Sequence, residues 1–378
     1  MAKIRLSKSV VGEEEVAALS AVIQDGYLSM GPRVRLFEEK IAQFVGVPFE
    51  NVCCVSSGTA ALHLALEALD LGPNDEVIVP SLTYVASFQA ISASGAVPVP
   101  CDIELETGLL CVKSVRKLIN NNTKVIMPVH YASSCESIEK VYELAKEFNL
   151  RVIEDAAHSF GGKYKGQKIG SKGDIVAFSF DGIKNITSGE GGCIISDDNR
   201  LMNRIRDARL LGVVNDSDQR ASKQRSWDFN VLHTGYRYHM SDLMAAIGIE
   251  QLKKLSSFSS ARQLLVAEYV KYLSDIDGIN LVRKDYKGNV PHIFPILVCK
   301  NNRDSLRANM LGLGIETGCH YKANHLLDLF SKSGSVSLPS AEDFSARVIT
   351  LPLHPDLSIT DIKFISESLK FLVRTLNE

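Results

Sequence analysis

The chain has 378 residues, too many for one ordinary domain of roughly 100–200 residues, so two units of unequal size are the starting expectation. Hydrophobic residues make up 45% and charged residues 23%, with 26 Gly and 12 Pro, which excludes collagen-like, disordered and low-complexity chains. Lys plus Arg at 42 against Asp plus Glu at 44 leaves a net charge of −2, so no global positive field exists to hold nucleic acid.

The first residues, Met1-Ala-Lys-Ile-Arg-Leu-Ser-Lys8, are basic, but no apolar segment or small-residue cleavage site follows them, and a cytoplasmic protein is expected. Short apolar, β-branched runs then predict strands over 52–55, 76–79, 97–101, 124–129, 151–154, 174–180 and 192–196. None approaches the ~20 apolar residues of a membrane helix, so no membrane association is expected. Amphipathic stretches between them predict helices over 59–70, 84–94, 111–120 and 137–149. This alternation is the rhythm of a mostly parallel α/β sheet with helices on both faces. Farther on, Met240, Leu243, Met244, Ile247, Leu252 and Leu255 form an apolar stripe suited to a long helix. Beyond Asp277 a smaller α+β segment is expected, with strands over 290–298 and 348–351 and a last helix over 360–376. The expected division is a large domain, residues 1–250, and a small C-terminal domain, 251–378, that includes the connecting helix. The eight cysteines show no metal-ligand spacing and read as reduced thiols; no metal site is expected.

In an open α/β sheet ligands bind outside the carboxyl ends of the strands. Three such ends carry chemistry. After the first strand, Ser57, Gly58 and Thr59 open a helix and could offer N–H groups and hydroxyls to a phosphate; helix capping is the alternative reading. After the fifth, Asp155 stands at the strand edge with His158 three residues on, able to hold a protonated ring nitrogen, or simply a turn-capping Asp and a core His. After the sixth, Ser179 precedes a polar loop carrying Lys184 and a glycine-rich return into the next strand. A lysine held there could form a Schiff base with an aldehyde cofactor, although most lysines are solvated surface charges. Together these ends supply an amine, a carboxylate and a phosphate cup, which is what pyridoxal phosphate requires. Tyr84 adds an aromatic face that could stack on the cofactor ring, or pack in the core.

With these residues in view, Ser57-Gly-Thr59, Glu154-Asp-Ala-Ala-His158 and Ser179-Phe-Asp-Gly-Ile-Lys184 followed by Gly189-Glu-Gly-Gly192 resemble the DegT/DnrJ/StrS family of sugar-nucleotide aminotransferases. The likeness extends to Tyr27-Leu-Ser-Met-Gly-Pro32, Pro128-Val-His-Tyr131 and Gly235-Tyr-Arg-Tyr-His-Met-Ser-Asp242, and so to nearly the whole chain. It implies a fold type I pyridoxal phosphate-dependent transferase, a homodimer with active sites at the subunit interface. By matching positions Lys184 would carry the imine, Asp155 would pair with the pyridine nitrogen, His158 would lie near the ring, Tyr84 would stack, and Ser57, Gly58, Thr59 and Ser179 would bind phosphate.

Two departures stand out. Arg237 occupies the position where the family often has an Asn that reaches the partner's cofactor phosphate, and the resemblance offers Arg237 for that role. Ser133 stands where many relatives have glycine. Gly314-Ile-Glu-Thr-Gly-Cys-His-Tyr-Lys-Ala-Asn-His325 is similar to a segment that approaches the substrate in sugar 4-aminotransferases, which makes His320 and His325, with Tyr27, the substrate-side candidates; an ordinary surface loop is the alternative. The implied reaction moves an amino group from L-glutamate, through pyridoxamine phosphate, to a keto group of a nucleotide-linked 4-keto-6-deoxy sugar, carbon 4 before carbon 3. A dehydratase relative, which carries His at the lysine position, and a regulatory protein that only binds the cofactor are the alternatives.

Overall fold

The computed structural model describes residues 3–224, 227–283, 286–331 and 336–377. Its strands are β1 (Val52–Val55), β2 (Glu76–Pro80), β3 (Val97–Cys101), β4 (Thr123–Ile126), β5 (Arg151–Asp155), the hairpin pair β6 (Lys163–Tyr164) and β7 (Gln167–Lys168), β8 (Ile175–Ser179), β9 (Gly192–Ile195), β10 (Ile279–Leu281), β11 (Phe294–Val298) and β12 (Val348–Leu351). Seven of them form one sheet in the order β1-β9-β8-β5-β4-β2-β3. Pairing is parallel from β8 through β5, β4 and β2 to β3, and β9 runs antiparallel to both of its neighbours, so β9 alone is reversed. This is the mostly parallel α/β sheet that the sequence rhythm implies.

Strands β1, β8 and β9 are buried at every position, which requires cover on both faces. Alternate residues supply two cores: Val52, Cys54, Val176 and Phe178 face one, Cys53, Val55, Ile175 and Ala177 the other. Each expected strand and helix of this region is present with ends that differ by a few residues. The fourth strand stops at Ile126 rather than Val129, because Pro128 has no N–H to give to a ladder.

Two helices that the sequence reading did not anticipate, Glu13–Asp25 and Pro32–Val45, precede the sheet. The second buries Val34, Phe37, Ile41 and Val45, a three- and four-residue spacing, together with Glu38. Burial of that carboxylate is offset by Arg209, whose Nη1 lies 2.6 Å from Glu38 Oε1 and also donates to Cys54 O.

The long helix spans Asp242–Leu273 and crosses residue 250. Its buried face corrects the expected stripe: Leu243, Met244 and Ile247 are half-buried, whereas Ala245, Ala246, Gly248 and Ile249 face the core. Small residues are needed there, since a Cβ on Gly248 would lie 2.5 Å from the Phe37 ring. Met240 precedes the helix and is fully buried. The same helix later contributes Leu265, Val266, Tyr269 and Leu273 to the core beneath the antiparallel sheet β10-β11-β12, which the last helix, Ile359–Asn377, also covers. Among the described residues no helix is long and apolar enough to cross a membrane.

Candidate active site

The carboxyl ends of β1, β2, β5 and β8 open onto one cavity of about 400 Å³. Its lining brings together Ser57, Gly58, Thr59, Tyr84, Asp155, His158, Ser179, Lys184 and His320. Strand β1 ends at Val55, and Ser57 caps the helix Gly58–Ala68, its Oγ accepting from Ala60 N at 3.0 Å. The side chain therefore serves the cap, and the first-turn N–H groups are what the helix start offers to an anion. A Cβ on Gly58 would lie 2.8 Å from Ser179 Cβ, so only glycine lets the end of β8 approach the helix start this closely. Thr59 is exposed at the rim.

Asp155 ends β5 and is buried, with Oδ2 accepting from Ser87 Oγ at 2.8 Å and Oδ1 from Ala157 N at 3.2 Å. Its predecessor Glu154 points to the opposite face, where it meets His130 Nε2 at 2.9 Å and the Tyr142 hydroxyl at 2.7 Å. His158 is buried one turn beyond, its Nε2 2.9 Å from the Tyr321 hydroxyl and its ring 4.4 Å from that of His292. Burial, with the Lys184 charge adding to it, holds the His158 imidazole well below its ordinary pKa.

Lys184 lies in the loop between β8 and β9 with its Nζ 3.5 Å from His292 Nε2. Burial lowers its amine pKa, opposed by the carboxylates of Asp155 and Asp181. An amine so placed is a better nucleophile and proton carrier near neutrality than a surface lysine. Tyr84 stands immediately before the helix Val85–Ala93, 60% exposed, its ring 5.8 Å from that of Tyr321. His320 bonds Thr350 Oγ1 through Nδ1 at 2.9 Å, and burial beside Lys184 brings its pKa down to about 4.

Three sequence candidates stand outside this cavity. His325 is buried behind it, tied through Nδ1 to Ser81 Oγ at 2.6 Å and through Nε2 to Glu342 at 3.3 Å. Tyr27 is half-buried with its ring against Gly31. Arg237 is exposed and lines a separate surface depression with Trp227, Phe229 and His239. Conversely, sequence reading missed His292 and Tyr321, and the carboxylates Asp181 and Glu190 that also line the cavity. Tyr321 adjoins a candidate in the chain; His292 is more than a hundred residues from Lys184, and no local motif marks it.

The whole architecture has close counterparts among solved structures. The aminotransferase TlmJ from Streptoalloteichus hindustanus superposes with a TM-score of 0.92 at 30% identity, covering 99% of this chain and 100% of that one. Helicobacter pylori PseC, an aminotransferase involved in the biosynthesis of pseudoaminic acid, gives 0.92 at 26% identity with the same coverage. Spr1654 from Streptococcus pneumoniae in its PLP form gives 0.91 at 28% identity, covering 99% of each chain. The model of the DegT/DnrJ/EryC1/StrS aminotransferase family matches residues 9–370, and the chain belongs to that family.

Proposed function

We propose that this aminotransferase moves an amino group from L-glutamate to the keto group at carbon 4 of a nucleotide-linked 4-keto-6-deoxy sugar, with pyridoxal 5′-phosphate as its cofactor. The observation that carries the reading is the single cavity that joins the Lys184 amine, the Asp155 carboxylate and the helix start at Gly58. The residues fit the cofactor: an amine, a carboxylate and Ser179 line one cavity, and Gly58, whose missing Cβ lets Ser179 approach, opens the helix whose first N–H groups suit a phosphate. When bound, the cofactor supplies an electron-withdrawing ring that stabilises negative charge on the carbon bearing the amino group.

The side chains supply the rest. Asp155, oriented by Ser87 and the Ala157 N–H, presents its charge to a protonated ring nitrogen, and Tyr84 offers a ring face. Lys184 takes up and returns the proton of the donor's α-carbon. His320 and Tyr321 line the cavity, and the similarity of their segment to the one that approaches the substrate in sugar 4-aminotransferases favours carbon 4 over carbon 3. Within this lining Lys184 is the cation among Asp155, Asp181 and Glu190, whereas the cofactor and a nucleotide sugar are both anionic. That imbalance supports a homodimer in which Arg237 reaches the partner's phosphate, helped by exposed Trp227, Phe229 and Leu232. The division into residues 1–250 and 251–378, a cytoplasmic location and a product destined for O-antigen or another surface polysaccharide belong to the same reading. The role of PseC in pseudoaminic acid biosynthesis supports an amino-sugar product.

The test is the visible spectrum of the purified protein before and after L-glutamate. Fading of the cofactor band with release of 2-oxoglutarate is expected, followed by amine formation on one member of a panel of nucleotide-linked keto sugars. A spectrum indifferent to glutamate would exclude that donor, and turnover of 3-keto sugars alone would exclude carbon 4.

A further inference from the structure

Ser133 is fully buried and holds a left-handed backbone conformation, φ +66°. Such a conformation favours glycine, so a serine there requires a compensating use of its side chain. Its Oγ lies 2.6 Å from His158 O and 2.8 Å from Val290 O, and accepts from His292 N at 3.1 Å. With a single proton the hydroxyl serves one of the two carbonyls at a time. Asn185, next to Lys184 in the chain, donates to the same two carbonyls at 3.2 and 3.3 Å. From the other side the buried Arg262 guanidinium donates to Pro291 O at 3.2 Å and to His292 O at 3.1 Å. The backbone of His292 is thus gripped at its N–H and at its C=O.

This grip aims a ring that packs 4.4 Å from the His158 ring. His292 Nδ1 is buried without a hydrogen-bond partner, and Nε2 faces Lys184 Nζ. We propose that His292 is a further positioning residue of this site: its Nε2 accepts the hydrogen bond that fixes the free Lys184 amine, and Ser133 and Arg262 hold His292 in place. The assignment rests on Lys184 being the reactive amine.

The groups that face Lys184 set the sign of the effect. Asp155 and His158 come from the end of β5 and the turn after it, Asp181 and Glu190 from the loop of Lys184 itself, His292 from the segment before β11, and His320 with Tyr321 from the C-terminal wall. Burial opposes the ammonium, and the Asp155 and Asp181 carboxylates favour it; a ring nitrogen that accepts from the amine acts on the side of the ammonium. Loss of the acceptor at unchanged burial therefore moves the titration of Lys184 to lower pH.

The experiment uses the cofactor-free protein, with Lys184 methylated by formaldehyde and cyanoborohydride across the neutral and alkaline range and followed by peptide mass spectrometry. His292→Phe should shift the labelling profile down by about one pH unit, as expected for loss of one hydrogen bond to a charged group. His292→Gln, which keeps an acceptor, should restore most of the wild-type profile, and Ser133→Ala should shift it in the same direction by less. If His292→Phe fails to fold, the Gln and Ala variants carry the comparison alone. Coincident profiles for the wild type and the folded variants, or a Gln variant as shifted as Phe, would overturn the proposal while leaving Lys184 as the reactive amine. A wild-type Lys184 that labels like the surface lysines of the same digest would overturn both.

Discussion

The cavity has two walls built on different principles. One is formed by strand ends: Asp155 closes β5, Ser179 closes β8, Ser57 follows β1 by two residues, and Lys184 lies five residues beyond Ser179. Here a buried strand delivers a side chain to the sheet edge, and the sheet fixes where it points. The other wall is His320 and Tyr321, backed by residues 131–134, 289–292 and 324–325, none of which lies in a strand of the large sheet. It is held by polar side chains bonded to backbone carbonyls: Ser133 to His158 O and Val290 O, Tyr131 to His320 O, Asn324 to Thr83 O. The contrast assigns chemistry to the first wall and geometry to the second, and substitutions should separate the two.

The largest effect belongs to the first wall. Lys184→Ala should lower glutamate-dependent release of 2-oxoglutarate by about 10³-fold or more, since it removes both nucleophile and proton carrier. The thermal midpoint should hardly move, because among the described residues the amine forms no ion pair with a carboxylate and meets only His292 Nε2 at 3.5 Å. Retained activity would sink the role given to this loop. Asp155→Asn comes next, with a fall in kcat of about 10²–10³-fold for loss of a preorganised charge. The amide can still accept from Ser87 or Ala157, so the variant should fold normally, and a KM effect without a kcat effect would count against Asp155 as an electrostatic partner.

The two walls also differ in how far the sequence discloses them. Asp155 and Ser179 were readable because a short continuous apolar run ends on a polar residue, and the rule that ligands sit at carboxyl ends does the rest. His292 was not, because its meeting with Lys184 depends on Ser133 and Arg262, whose bonds cross long stretches of chain. Ser133 was visible only as an unusual residue in a glycine position; its purpose needed the carbonyls of His158 and Val290 in space. In the same way His325 shares a segment with His320, and nothing local indicates that one ring enters the cavity while the other turns back to Ser81. The long helix repeats the lesson in the fold, since its first turns bury Ala245, Ala246 and Gly248, and the need for glycine at 248 shows only when the Phe37 ring is seen against it.

A smaller effect concerns pH and belongs to the second wall. His320 has its pKa brought down to about 4, and His158 and His292 are held well below the ordinary value, all chiefly by burial. A depressed histidine binds fewer protons folded than unfolded between its two pKa values, so stability is full above about pH 6.5 and is lost as pH falls toward 4. For His320 alone this amounts to about 3 kcal/mol across that window. Thermal unfolding of the cofactor-free protein should therefore show a midpoint that drops with acid, and His320→Asn should flatten that drop. An acid dependence identical in the two proteins would mean that His320 is not held neutral by the fold.

The finest separation lies between His320 and His325, five residues apart. His325 fills its ring nitrogens with Ser81 and Glu342 and donates its backbone N–H to Ser81 Oγ at 3.1 Å, which ties the C-terminal segment to the end of β2. His325→Ala leaves that backbone bond but strips Ser81 of its side-chain partner, at a cost of about 1–2 kcal/mol in stability. Neither the glutamate half-reaction nor the KM for the keto sugar should change, because the ring does not line the cavity. His320→Asn should instead raise that KM with a smaller change in kcat. If His325→Ala raised the sugar KM at an unchanged thermal midpoint, His325 would belong on the substrate side, and the wall could no longer be divided into a ring that faces the sugar and a ring that anchors it from behind.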